Sequence, residues 1–178
     1  MTKKNNRKQA EQAGQATEDL MAKGEDFSKK LPVFGHVMWL YMQSQPHKYY
    51  CIQDMEWRVL SPIMLEQCKL YIKTKTTGLP MAFVSWAYLS EEAAQRYVQT
   101  YRLAPGDWNS GKNLWIIDML APFGGGDKIY QELHHSIFKD QEIHFLYPSE
   151  EGGLVKTTIQ ALLQRTAETG SSREVTRH

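Results

Sequence analysis

Apolar positions form a short continuous run just after Asn113. Leu114 to Leu120 is a short apolar stretch bounded by turn residues, the pattern of a strand covered on both faces. Pro122 then ends strand pairing, and Gly124, Gly125 and Gly126 open a turn that side chains would obstruct. Beyond it Ile129, Leu133 and Ile137 fall on one helical face, with Asp127 predicted to cap that helix. One charge interrupts the strand. Simple alternation places Asp118 on the side of Leu114, Ile116 and Leu120, where a carboxylate must find a partner or costs several kcal/mol.

The same reading organises the rest of the chain. Residues 1–30 carry almost no large apolar side chain and are expected to form a disordered polar extension, with at most a transient helix between Gln9 and Met21. From Leu31, the residues Phe34, Val37, Met38, Leu40 and Tyr41 predict a buried first helix, which runs out at Ser44-Gln45-Pro46-His47 because the residue before a proline avoids the helical region. His47 is therefore expected on a loop. Ser61-Pro62 reads as an N-cap and first helical residue, giving a short helix through Leu65. Cys68, Leu70 and Ile72 alternate with polar residues, a turn follows over Thr76 to Pro80, and Met81 to Leu89 is more apolar, which predicts an antiparallel hairpin. Ser90, Glu91 and Glu92 start a helix with Ala94, Tyr97, Val98 and Tyr101 on one face, and Glu142 to Tyr147 is a further strand. Leu154 to Thr158 fits a strand, while Thr157 and Gln160 fit a capping box for a helix bearing Ile159, Leu162 and Leu163; the pattern leaves both open. After Thr166 a disordered tail, 166–178, is expected, leaving residues 31–165 as one domain.

This order of elements predicts an α/β fold, a mixed and partly antiparallel sheet with helices on both faces. A net charge of +1, from 21 basic and 20 acidic residues, gives no electrostatic case for nucleic acid. Two cysteines, Cys51 and Cys68, are too few for a disulfide framework and lack metal-ligand companions, so no metal and reduced thiols in a cytoplasmic setting are expected. No apolar stretch reaches the ~18 residues of a membrane span.

Several groups can carry chemistry, each with a plainer alternative. His47 is a natural base or a solvated loop histidine, and Asp118 a catalytic carboxylate or a structural acceptor. The amides around Gly124 to Gly126 can cradle a carbonyl or phosphate, or merely turn the chain, and Ser44 is better read as a helix-end hydrogen bonder than as a nucleophile. His134 and His135, one residue apart on a helix, make a poor metal pair, while Trp39, Trp86, Trp108 and Trp115 suit the core or the lining of an acyl channel.

Taken together, Gly35-His36-Val37-x-Trp39, Ser44-x-x-His47, Phe83-x-Ser85-Trp86-Ala87, Asp107-Trp108-x-Ser110-Gly111 and Trp115-Ile116-Ile117-Asp118-x-x-Ala121-Pro122-Phe123-Gly124 resemble the toxin-activating lysine acyltransferases of the RTX hemolysin systems. The resemblance covers roughly residues 33–138 and implies a cytoplasmic enzyme with a GCN5-type N-acyltransferase-like fold. Such an enzyme moves a fatty acyl group from acyl carrier protein, its acyl-phosphopantetheine being the donor, to internal lysines of an RTX protoxin. No permanently bound cofactor is implied, and related enzymes suggest a homodimer. The family's essential histidine falls on His47, its essential aspartate on Asp118, and Ser44 matches a serine close to its site. Departures are local: the family places proline directly after the serine and an arginine and a tryptophan after the histidine, whereas this chain has Gln45, Lys48 and Tyr50. On this reading His47 takes the proton of an attacking lysine, Asp118 either orients the imidazole or holds the ammonium, and Gly124 to Gly126 contact the donor. An acyl-CoA-dependent N-acyltransferase of another substrate, or an inactive binding protein of the same fold, are the competing readings.

Overall fold

In the computed structural model, described for residues 24–73, 78–139, 141–149 and 152–165, helix α1 occupies residues 24–43. The expected transient helix at Gln9 to Met21 and the tail after Thr166 lie outside these residues. Residues 24–30, expected to be part of the polar extension, are helical, because Phe27 prolongs the apolar stripe and meets Phe34 edge-on at 6.1 Å. Lys30 fixes this first part of α1 by donating to the Met64 carbonyl at 3.1 Å and lying 3.5 Å from the Glu66 carboxylate.

A five-stranded sheet in the order β1-β2-β3-β4-β5 forms the centre. Its strands are β1 Cys68–Lys73, β2 Leu79–Leu89, β3 Asn113–Leu120, β4 Ile143–Pro148 and β5 Leu154–Thr158. The predicted β1–β2 hairpin is present and antiparallel, β2 pairs β3 antiparallel, β3 pairs β4 parallel and β4 pairs β5 antiparallel. This is the mixed α/β architecture expected. Its end holds both a strand and a helix, but not the Thr157–Gln160 capping box: Thr158 closes β5 and its side-chain oxygen accepts from the Ala161 amide at 3.2 Å, starting helix α6 over residues 159–165, while the Gln160 side chain bonds the Gln141 carbonyl and the Ile143 amide instead.

Helices cover both faces. On one lie α1, α2 (Ile52–Met55), α3 (Ser61–Met64) and α4 (Glu91–Thr100). There Val37, Leu40 and Val59 pack against Phe83 and Leu120, and Tyr97 and Ala93 against Trp115 and Ala87. On the other face α5 (Gly126–Glu132) and α6 enclose Ala82, Val84, Leu114 and Ile116 with Ile129, Leu133 and Ile159. Trp108 and Trp115 are core residues, each 1% exposed.

Two predicted helix starts are corrected. Ser61 is not an N-cap: a π turn, Glu56–Leu60, joins α2 to α3, and the Ser61 hydroxyl donates back to the Glu56 carbonyl at 3.1 Å. Pro62, which has no N–H to give, is accommodated where the regular ladder is already interrupted. Nor does Asp127 cap α5. Gly125, at φ 84°, is the N-cap, since the chain must turn through the left-handed region directly after Gly124, at φ 87°.

Candidate active site

His47 is positioned by the end of α1 and a single turn of 3-10 helix. Helical structure ends at residue 43, and Gln45–His47 winds one tight turn with Pro46 in its first positions. Residues three apart eclipse in such a turn, so Ser44 and His47 superpose. Their Ser44 Oγ and His47 Nδ1 atoms are 2.6 Å apart. Tyr41, one helical turn before Ser44, presents its ring edge-on to His47 at 5.4 Å.

Asp118 reaches the same place through an irregularity that alternation does not foresee. In the β2–β3 ladder Ser85 pairs with Asp118 and Trp86 with Ile116, which leaves Ile117 as an extra residue in β3. That bulge turns Asp118 onto the face of α1 and α2. Leu114 and Ile116 instead pack beneath α5 on the opposite face, so of the three residues expected beside Asp118 only Leu120 shares its side.

The buried carboxylate is fully committed. Its Oδ2 accepts from the Tyr41 hydroxyl and from Arg58 Nη1 at 3.1 Å, while Oδ1 lies 3.4 Å from His47 Nε2. An ionised carboxylate only accepts, so Nε2 carries the proton and Nδ1 is left to accept from the Ser44 hydroxyl. The result is a Ser44–His47–Asp118 chain with its receiving nitrogen turned toward the serine. Burial pushes the Asp118 carboxyl up, but the hydrogen bond from His47 and the Arg58 charge outweigh it and hold the group below the usual carboxylate range. Burial and then the neighbouring Asp118 push the Tyr41 phenol well above its ordinary value, so it stays a donor.

Arg58 and Tyr41 are the members that sequence reasoning missed. Arg58 projects from the π turn, and its guanidinium stacks over Tyr50 at 4.2 Å and Trp57 at 4.4 Å. Its sequence signal was a lone charge flanked by Trp57, Val59 and Leu60, the same signal that marked Asp118. Tyr50 serves both neighbours: it lies under Arg58 and meets the His47 ring at 5.5 Å.

Beside these groups opens a cleft of about 410 Å³ between α1 and the start of α2, with His47 and Tyr41 in its wall. Gly124, Gly125 and Gly126 lie between the end of β3 and the head of α5, and the Gly124 amide donates to the Ala121 carbonyl at 3.0 Å. His134 and His135 face each other at 4.7 Å between ring centres on the π turn Leu133–Ile137, and among the described residues no group of three or more potential ligands surrounds a metal position. A second buried acid, Asp107, is bound by Arg96 at 2.6 Å and by the Ala104 amide at 2.9 Å, a structural tie between α4 and the loop after it.

A bulged strand that delivers a buried carboxylate to a histidine, in a mixed α/β domain, makes a candidate site beside a largely apolar cleft. Comparison with known proteins gives the family: residues 27–160 match the RTX toxin acyltransferase family, and the chain belongs to it. The chain is 35% identical over 102 residues to the RTX-II toxin-activating lysine-acyltransferase of Actinobacillus pleuropneumoniae, covering 57% of this chain and 62% of that protein. It is also 35% identical over 102 residues to a leukotoxin-activating lysine-acyltransferase of Mannheimia haemolytica, covering 57% and 59%. With a protein-lysine myristoyltransferase of Escherichia coli it shares 32% identity over 137 residues, 72% of this chain and 79% of the relative. The matched stretch thus spans about three fifths of the first two relatives.

Proposed function

We propose that this chain is a protein-lysine acyltransferase that moves a fatty acyl group from acyl carrier protein to internal lysine ε-amino groups of an RTX protoxin, activating it. The observation that carries the reading is the Ser44–His47–Asp118 chain, with Tyr41 and Arg58 saturating the far oxygen of the carboxylate. Names of the relatives, toxin-activating lysine-acyltransferases, supply the substrate class.

A lysine side chain, with an ordinary pKa near 10.4, gives its ammonium proton to solvent to enter as the neutral amine and then loses a second proton as it attacks a thioester. His47 Nδ1 is the receiving atom. In the resting site the Ser44 hydroxyl donates to that lone pair, so an N–H of the attacking amine can take its place. The new C–N bond forms as the proton passes to His47, and Asp118 balances the imidazolium through Nε2. The C–S bond then breaks, and the departing phosphopantetheine thiolate is protonated by the imidazolium, which restores the neutral ring. No metal or bound cofactor is needed to balance these steps. Asp118 orients the imidazole on this scheme, since Tyr41 and Arg58 occupy its Oδ2 and His47 its Oδ1, which leaves no oxygen for the lysine ammonium. The amides of Gly125 and Gly126 are assigned to the donor arm, whereas that of Gly124 already donates to the Ala121 carbonyl at 3.0 Å. With two free thiols, the cytoplasm is the fitting compartment.

Incubating the purified chain with tetradecanoyl or hexadecanoyl acyl carrier protein and a protoxin encoded beside it tests this, with acylated lysine read by mass spectrometry. His47→Ala is expected to lower transfer by about 10²–10⁴-fold while leaving the fold intact. Equal turnover of acyl-CoA would point to the coenzyme A donor instead. Binding of the carrier with no transfer from any donor would leave only a binding protein.

A further inference from the structure

We propose that the cleft between α1 and α2 receives the distal end of the fatty acyl chain and sets the chain length that is transferred; this rests on the acyltransferase reading above. Four residues carry the inference: Met38 and Met42 from α1, and Ile52 and Met55 from α2. They share one lining with His47 and Tyr41, so a chain lying there is in reach of the proton-transfer group. A volume of about 410 Å³ falls within the roughly 300–1,000 Å³ common for ligand pockets.

Chemistry of the lining decides between an acyl chain and the lysine-bearing acceptor. No carboxylate lines the cleft, and its only long cationic side chain, Lys48, disfavours an incoming ammonium group. Unbranched, polarizable methionine side chains suit a flexible hydrocarbon whose length varies. Exposure follows a gradient along the same path. Met55 is 7% exposed on the floor, whereas Met42 is 58% and Ile52 89% exposed at the rim. Large apolar groups this open gain nothing from the folded chain itself, and a long hydrocarbon running outward would cover them.

The test is a chain-length series. Acyl carrier protein charged with acyl groups of increasing length is assayed against wild type, Met55→Phe on the floor and Ile52→Asn on the rim, with binding of a fluorescent hexadecanoate analogue measured in parallel. Met55→Phe fills the cleft, and the penalty in KM is expected to grow with chain length by about fourfold for each methylene excluded. Ile52→Asn, fully surface-exposed and safe for folding, is expected to penalise only the longest donors. Both variants are expected to weaken the fluorescent probe at least tenfold. Penalties equal at every length, or a raised KM for the protoxin alone, would overturn the proposal and give the cleft to the acceptor. If wild type transfers no acyl group at all, the probe still decides: binding weakened by both variants upholds the hydrocarbon site while the enzyme reading fails, and binding unchanged by both removes the site.

Discussion

Arg58 and Asp118 form a buried opposite-charge pair in which each partner also satisfies other groups, and such pairs behave asymmetrically on mutation. Removing one member leaves the other charged and uncompensated. Arg58→Met is expected to destabilise the fold by about 3 kcal/mol in urea denaturation, somewhat offset because His47 and Tyr41 remain on the carboxylate. It also removes a charge that holds the Asp118 pKa down, so the acid limb of the transfer rate should move to higher pH; Arg58→Lys should restore part of this shift but not the stacking on Tyr50 and Trp57. Tyr41→Phe deletes one donor to a charged acceptor and is expected to cost about 1.5–3 kcal/mol, with a reduced kcat as the carboxylate loses its fix. Acid stability follows the same group. Asp118 has a folded pKa below its unfolded value near 3.9, so its contribution is complete above that value and is lost as pH falls through the lower folded one. Asp118→Asn should therefore show a flatter fall in urea midpoint than wild type between about pH 5 and about pH 3.

At the scale of elements, the bulge in β3 and the glycine bends fix where side chains go. Three glycine-to-alanine changes should separate in cost by mechanism. A Cβ on Gly111 would lie 2.5 Å from the Leu89 carbonyl oxygen and from Ser90 backbone atoms, so Gly111→Ala must move the end of β2 and is expected to be the most damaging. Gly125→Ala meets no atom but forces a side chain into φ 84°, a strain of about 1–2 kcal/mol. Gly126→Ala presses on the flexible end of Met119, at 3.1 Å, and meets Ala121 Cβ at an ordinary 3.9 Å, and should be the mildest. Thermal unfolding of the three variants gives that order or refutes it.

On the scale of the molecule, one face of the sheet carries the candidate site and the other an apolar cluster under α5 and α6. Both thiols lie on the side of α1–α3 and differ in exposure. Cys51 is exposed beside the cleft, while burial pushes the Cys68 thiol up to about 11 on β1. Iodoacetamide at mildly alkaline pH is expected to add one label in the native state, at Cys51, and a second only on unfolding, read by peptide mass spectrometry. No helix among the described residues is long and apolar enough to cross a membrane.

Local patterns sufficed for much of this. The hairpin of β1 and β2, the buried β3, the Ser90-capped α4 and the lone Asp118 follow from side-chain period and turn chemistry, which act over a few residues and are written directly in the chain. His47, Ser44 and Asp118 were visible as candidates, although 71 positions separate His47 from Asp118 and spacing alone cannot say that they meet. Tertiary structure decided what depends on distant partners. The extra residue in β3 that turns Asp118 toward α1 has no signature in alternation, because a bulge is defined by the register of the neighbouring strand. Arg58 and Tyr41 likewise became site residues only when a π turn and a helix from separate parts of the chain closed on one carboxylate. A charge's partners are set by packing in space, and no local period encodes them.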